Sequence, residues 1–306
     1  MWRRWNRIGW ALLGLSLATA CGQNTPPASQ VVEATPLPLT ATPIPATPTL
    51  TPEPLAAVVN GQPITLAAYH QEVERCQAGK QTAGLDPADC PAIVLQSLIE
   101  QAAIEQAAGG AGLTVAEGDL EAEIARLQSS LGGPAAYQKW LAANLYAPDE
   151  FRAALHRDLL RARMSEQVTA AISETAEQVR ARELLVADEA AAAELLAQIR
   201  AGADFGELAA AYSLDLSSRP AGGDLGWFPR GLLTVAEVEQ AAFALPPGAT
   251  SEVIQSALGY HLVQTLERDP ARPLSPAAAQ ALREKTYRTW LEGLLAQAAI
   301  QRFVNP

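Results

Sequence analysis

The chain has 306 residues, of which 49% are hydrophobic and 18% charged, and a formal net charge of −11. Lysine occurs only at 80, 139 and 285 and no basic patch forms, which argues against a nucleic-acid partner. No G-x-G-x-x-G run or phosphate loop is present, and His70, His156 and His261 show no metal-ligand spacing with the three cysteines, so neither cofactor nor metal is expected.

Residues 1–20 read as a secretory signal. Three arginines come first, then an apolar run over 8–17 that is too short to span a bilayer, then Ala18-Thr19-Ala20-Cys21. The last four residues resemble a lipobox, with Ala18 where leucine is commoner. Lipoprotein processing would make Cys21 the lipidated first residue of an extracytoplasmic protein held to a membrane by that anchor. Ordinary A-x-A cleavage would instead leave a free N-terminal thiol. Residues 21–56 form a tether dominated by Thr, Pro, Ala and Leu, where closely spaced prolines deny both helix and sheet hydrogen bonds. At about 3.1 Å per residue it would reach on the order of 100 Å.

The remaining 250 or so residues suffice for two modules with cores of their own. Residues 57–177 read as a helical module. It opens with VVNGQPIT at 58–65, a strand pair around an Asn-Gly turn. Helices follow over 66–76, over 92–108 with Val94, Leu95, Leu98, Ile99 and Ala102 on one stripe, over 114–131 from a Thr114-x-x-Glu117 capping box, and over 148–177. Cys76 and Cys90 flank a Gly/Pro/Asp loop between two of these helices. Export predicts a disulfide stapling that hairpin, worth about 3 kcal/mol; two unpaired buried thiols are the alternative.

The character changes at residue 178. A strand over 179–186, helices over 190–201 and from Asp204, a glycine-containing loop, a short strand at Trp227-Phe228, a helix over 237–244 and strands at 251–255 and 260–266 give the order β, α, α, β, α, β, β. From 270 to the end, Ser275-Pro276 caps a last helix expected to run to about Phe303. Its Leu282, Trp290, Leu291, Leu294, Leu295 and Ala298 make a stripe that needs a partner surface, for which the helical module is the candidate.

Residues 178–269 resemble a parvulin domain of the peptidyl-prolyl isomerases. The resemblance lies in VRAR at 179–182, ADFGELAAAYS at 203–213, GGDLGWFPRG at 222–231, AAFALPPG at 241–248 and GYHLV at 259–263. The surrounding plan resembles the extracytoplasmic foldases of the PrsA and SurA kind. It implies an α+β protein: a parvulin unit, a small four-stranded sheet with surrounding helices, inserted into a mainly helical module built from both ends of the chain. The resemblance implies X-Pro isomerisation in unfolded or partly folded exported polypeptides, and leaves oligomeric state open. It assigns the polar cluster to His261, Asp215 and Ser256, and the proline-facing surface to Leu225, Leu233 and Val238, with Val238 where phenylalanine is usual. Asp215 could equally cap its own loop, and the last two apolar assignments could slip by one position.

Glu183 departs from the pattern. The family strand usually reads RHIL, whereas RELL stands at 182–185. A neutral imidazole donates or accepts, whereas an ionised carboxylate only accepts. The departure, together with Val238, points to weakened catalysis. A non-catalytic holdase built on a degenerate parvulin domain is therefore the alternative function, and a solvent-facing Glu183 with no role is the alternative for that residue.

Overall fold

A computed structural model describes residues 53–305. The signal, Cys21 and nearly all of the tether lie outside the described residues. The first described element begins at Leu55, inside the stretch expected to be tether.

Strands β1 (Leu55–Val59) and β2 (Gln62–Thr65) pair antiparallel around Asn60 and Gly61, both at positive φ, the geometry that an Asn-Gly hairpin requires. Helices α1 (Leu66–Thr82), α2 (Cys90–Gly110), α3 (Glu117–Leu131), α4 (Pro134–Ala143) and α5 (Pro148–Thr169) follow. Thr65 caps α1 by accepting from the Ala68 amide. The expected capping box at Thr114 is absent: Ala116 is the N-cap of α3, two residues later, and its side chain has no oxygen to offer. Helix α4 was not foreseen. Helix α5 stops eight residues short of its expected end. A disulfide joins Cys76 to Cys90, with Cα atoms 5.8 Å apart, and ties α1 to α2.

Strand β3 (Thr175–Val186) then begins four residues earlier than expected. After it come α6 (Glu189–Arg200), α7 (Phe205–Tyr212), a 3-10 turn at Arg219–Ala221, β4 (Asp224–Pro229), α8 (Ala236–Ala244), β5 (Ile254–Ser256) and β6 (Gly259–Pro273). The four strands form an antiparallel sheet in the order β4-β3-β6-β5. Because side chains alternate across a strand, the sheet has two distinct faces. Leu184, Val186 and Leu262 pack under α6 and α7 with Leu195, Leu196 and Phe205. Val179, Ala181 and Val263 pack under α8 with Val238, Ala242 and Phe243. Leu184 and Leu262 are wholly buried, and each contributes about 1.5–3 kcal/mol of apolar burial.

β3 and β6 run side by side from Val186–Tyr260 back to Thr175–Pro273. The chain therefore enters and leaves the sheet unit on adjacent strands. The buried Gln178 amide donates to the Arg272 and Pro273 carbonyls and fills an irregularity in that pairing. Beyond β6, Ser275 caps α9 (Pro276–Gln297) by accepting from the Ala278 amide. Trp290, Leu291 and Leu294 of α9 pack with Ile104, Leu160 and Met164, and Leu294, Leu295 and Ala298 reach the cluster around Ile99 and Leu95. The helix ends earlier than expected because residues Ile300–Arg302 become β7, which pairs with β1 in the order β2-β1-β7. Both ends of the described chain thus close one helical module, and the sheet unit is inserted between them. Among the described residues no helix is long and apolar enough to cross a membrane.

Candidate active site

His261 lies on β6, paired with Leu185 of β3 on one side and Ile254 of β5 on the other. Its neighbours at i+2 and i+4 fix its face: Val263 belongs to the α8 core, and Thr265 Oγ1 donates to the Ala242 carbonyl of α8 at 2.7 Å. His261 is therefore on the α8 side, and it is fully buried.

Ser256, the last residue of β5, comes back over the ring. Its Oγ shares a 2.7 Å hydrogen bond with His261 Nε2 and also accepts from the Leu258 amide at 3.0 Å. The hydroxyl has two acceptor lone pairs and one proton, so it can accept from an Nε2–H or donate to a bare Nε2, and the ring tautomer sets the direction of this bond. Nδ1 faces Glu183 Oε2 at 3.4 Å, yet it has no hydrogen-bond partner among the described residues. The Glu183 side chain is only 12% exposed. It points at the imidazole, not into solvent.

Two glycines let the backbone close around this pair. The Glu183 amide donates to the Gly223 carbonyl at 2.9 Å, and a Cβ on Gly223 would stand 2.1 Å from the Glu183 carbonyl oxygen. A Cβ on Gly259 would meet the Val186 carbonyl oxygen at 2.5 Å. The glycines of GGDLG and GYH thus serve the close approach of two segments to β3.

Asp215 takes a different place. Its carboxylate accepts from the Ser217 amide and hydroxyl at 3.0 and 2.7 Å, from the Ser218 amide at 3.2 Å and from the Ser218 hydroxyl. Burial pushes its carboxyl pKa up, but the Ser218 and Ser217 hydrogen bonds outweigh this and hold it below the usual carboxylate value. These bonds build an Asx-type turn. The turn is stitched to the site strand: Ser213 Oγ accepts from the Leu185 amide at 3.2 Å, and the Leu214 amide donates to the Leu185 carbonyl at 2.7 Å. Asp215 shapes the loop one strand away from His261, and no hydrogen bond joins it to the imidazole.

Of the apolar candidates, Leu225 and Leu233 are half-buried against the α8 core, whereas Val238 is 1% exposed and lies within it beside Phe243. Of the three candidates, Leu225 and Leu233 keep side-chain surface that a ligand can reach, and the core placement of Val238 removes it from the set. Sequence reasoning missed Glu239, whose carboxylate accepts from the Gly231 and Leu233 amides at 2.8 and 3.1 Å and so holds the turn that carries Leu233. Two surface cavities lie elsewhere. One of about 410 Å³ is lined by α5 and α9, and one of about 310 Å³ is bounded by Val186, Leu195, Tyr212 and Leu214. Among the described residues no cluster of three His, Cys, Asp or Glu is placed to hold a metal ion.

The cluster therefore offers a buried imidazole, a hydroxyl bonded to it and a carboxylate facing it, beside an apolar surface. A hydroxyl bonded to an imidazole, with a carboxylate on the far side of the ring, can bind and polarise an uncharged group held against that surface.

Comparison with known proteins places these features in a family context. The PPIC-type PPIASE domain family matches residues 160–267, and the SurA-like N-terminal domain family matches residues 46–165. A foldase protein PrsA of Caldanaerobacter subterraneus subsp. tengcongensis is 30% identical over 236 residues, covering 69% of this chain and 72% of the relative. A chaperone SurA of Hahella chejuensis is 36% identical over 147 residues, covering 44% of this chain and 34% of the relative. A crystal structure of the peptidylprolyl isomerase PrsA from Bacillus anthracis aligns with a TM-score of 0.48 at 26% identity, over 66% of this chain and 94% of that one.

Proposed function

The chain belongs to the PrsA family of foldases, with a PPIC-type domain and a SurA-like N-terminal domain, and on that premise we propose that it isomerises X-Pro bonds in unfolded or partly folded exported polypeptides. In this reading it acts outside the cytoplasm, held to the membrane by a lipid on Cys21. The observation that carries the reading is the buried His261, bonded through Nε2 to Ser256 at 2.7 Å and facing Glu183 at 3.4 Å, on a sheet face shared with Leu225 and Leu233.

The chemistry asked of such a site is modest. X-Pro rotation is opposed by a barrier of about 20 kcal/mol from amide resonance, and no bond must be made or broken. Water favours the planar, charge-separated amide. A proline ring lodged against Leu225 and Leu233 would lose part of that hydration, and the Ser256–His261 pair would offer hydrogen bonding to the twisted amide. Asp215 contributes by holding the adjoining loop.

The test is the isomerisation rate of a short X-Pro peptide with the wild type, His261→Ala and Ser256→Ala, each checked for a native circular dichroism spectrum. Ser256→Ala matters because removing a fully buried histidine can disturb the fold. No acceleration by the wild type over the uncatalysed rate overturns the enzymatic reading.

A second reading, a holdase with a catalytically weak parvulin domain, is favoured by Glu183 and by the exposure of Tyr212, Leu214, Leu216 and Leu258, each more than half exposed. Suppression of client aggregation that is unaffected by His261→Ala would support it. Mass spectrometry of the mature chain tests the anchor: an unmodified Cys21 would remove it.

A further inference from the structure

Residues 230–235 join β4 to α8 and carry Leu233, half of the apolar surface assigned to proline. Two elements brace this turn from different directions. Glu239 of α8 takes the Gly231 and Leu233 amides. On the other flank stands α9, whose Lys285 Nζ donates to the Gly231 carbonyl at 2.7 Å. A Cβ on Gly231 would lie 3.7 Å from Leu282 Cδ2, so α9 backs directly on the turn.

Helix α9 is not part of the sheet unit. Trp290, Leu291 and Leu294, two to three turns beyond Leu282, are packed into the helical module with Ile104, Leu160 and Met164. One rigid helix thus reaches from the core of the helical module to the wall of the candidate site.

We propose that Lys285 is a positioning residue through which the helical module sets the proline-facing wall. The inference rests on the reading of Leu233 as part of that wall. The contact is charge-assisted, which strengthens it relative to a neutral hydrogen bond. It is also solvent-exposed, which reduces its value to a fraction of a buried pair's. Gly231, at φ +88°, has a backbone that leaves its conformation readily once a restraint is lost. Without Lys285 the turn gains freedom that a bound proline must remove again, and affinity falls while the strands keep their pairing.

The experiment uses the full chain with Lys285→Met, which keeps the apolar stem and removes the donor, and Lys285→Arg, which restores a donor. Two quantities are read: the dissociation constant of a short X-Pro peptide by calorimetry, and amide hydrogen exchange at Gly231 and Leu233, the two amides held by Glu239. Lys285→Met is expected to weaken binding about threefold and to quicken exchange at those two amides, with β3 and β6 unaffected; Lys285→Arg is expected to reverse both. Unchanged affinity and exchange overturn the proposal, as does exchange that quickens equally across β3 and β6, since that signals general destabilisation. Neither readout needs turnover, so an inactive wild type counts against isomerase activity alone. A wild type that binds no X-Pro peptide overturns the reading of the site, and the exchange result then decides by itself whether Lys285 holds the turn.

Discussion

His261 Nδ1 and Glu183 Oε2 stand 3.4 Å apart with no hydrogen bond between them, although the ring is fully buried and its other nitrogen is bonded to Ser256. A carboxylate this close to a buried ring nitrogen attracts any proton that Nδ1 carries, so the two groups form a polar centre coupled through charge inside an otherwise apolar sheet face.

Replacing the carboxylate tests that centre. Glu183→His supplies a side chain that can donate as well as accept at the same place. The specificity constant kcat/KM for an X-Pro peptide is expected to rise about tenfold, equivalent to about 1.4 kcal/mol off the barrier. Relaxation of the peptide's cis population measures it directly. An unchanged rate would show that the carboxylate already serves the chemistry or stands outside it.

Gly223 and Gly226 separate steric need from backbone preference. Both have positive φ, +80° and +70°. A Cβ on Gly223 would collide with the Glu183 carbonyl oxygen at 2.1 Å, whereas one on Gly226 meets nothing within 4 Å. Gly226→Ala should cost about 1–2 kcal/mol, the conformational penalty alone. Gly223→Ala should cost about 3 kcal/mol or more, because the turn must also move away from β3. Thermal unfolding of the two variants compares them, and equal losses would mean that the approach of this turn to β3 relaxes without cost.

Much of this architecture is written locally. Ser275-Pro276, Asp204 and Asn60-Gly61 each carry their own capping or turn chemistry, and each acts where its residue type predicts. The four-stranded parvulin unit was legible because several separate motifs recur in order. Other features depend on partners remote in sequence. β7 is three residues long, and Ile300 pairs with Val59 across the whole chain, so local pattern reads the segment as more helix. The tail of β6, ERDPARP, is polar and broken by proline, and it is a strand because Thr175 and Ala176 lie alongside it. At the site, the residue types of His261, Ser256 and Glu183 could be read. The commitment of Asp215 to Ser217 and Ser218 was latent in the DLSS sequence, whereas the Lys285–Gly231 contact spans 54 positions and leaves no local trace.

The disulfide between Cys76 and Cys90 closes a loop of sequence separation 14. Confining so short a loop in the unfolded chain stabilises by about 3 kcal/mol. The double variant Cys76→Ser, Cys90→Ser should lose about that much in denaturant unfolding. The loss should fall on the helical module, because the sheet unit has its own two clusters around Leu184 and Val263. Hydrogen exchange localises it: protection should drop in α1 and α2 and persist in β3 and β6. A uniform drop would mean that the two parts unfold as one.

Asp215 gives a pH dependence whose direction follows from its hydrogen bonds. Burial raises its pKa, but the donors on Ser218 and Ser217 more than offset this, so the folded carboxyl lies below its usual value of 3.8. Unfolding releases those donors, and as pH falls the unfolded chain takes up the proton first. The stability contributed by this carboxylate is therefore complete above about pH 5 and is lost as pH drops through 3.8 toward the lower folded value. Asp215→Asn, which cannot ionise, removes that dependence. The difference in unfolding free energy between wild type and Asp215→Asn should be constant from about pH 7 to 5 and shrink below about pH 4. Because the turn is stitched to Leu185, the strand partner of His261, peptide affinity should weaken more steeply over the same acid range in the wild type than in the variant, which keeps the Glu183 and Glu239 carboxylates of the site. A stability difference that stays level down to about pH 2 would mean that the serine hydroxyls do not hold the ionised form, and Asp215 would then have no electrostatic part in shaping the loop.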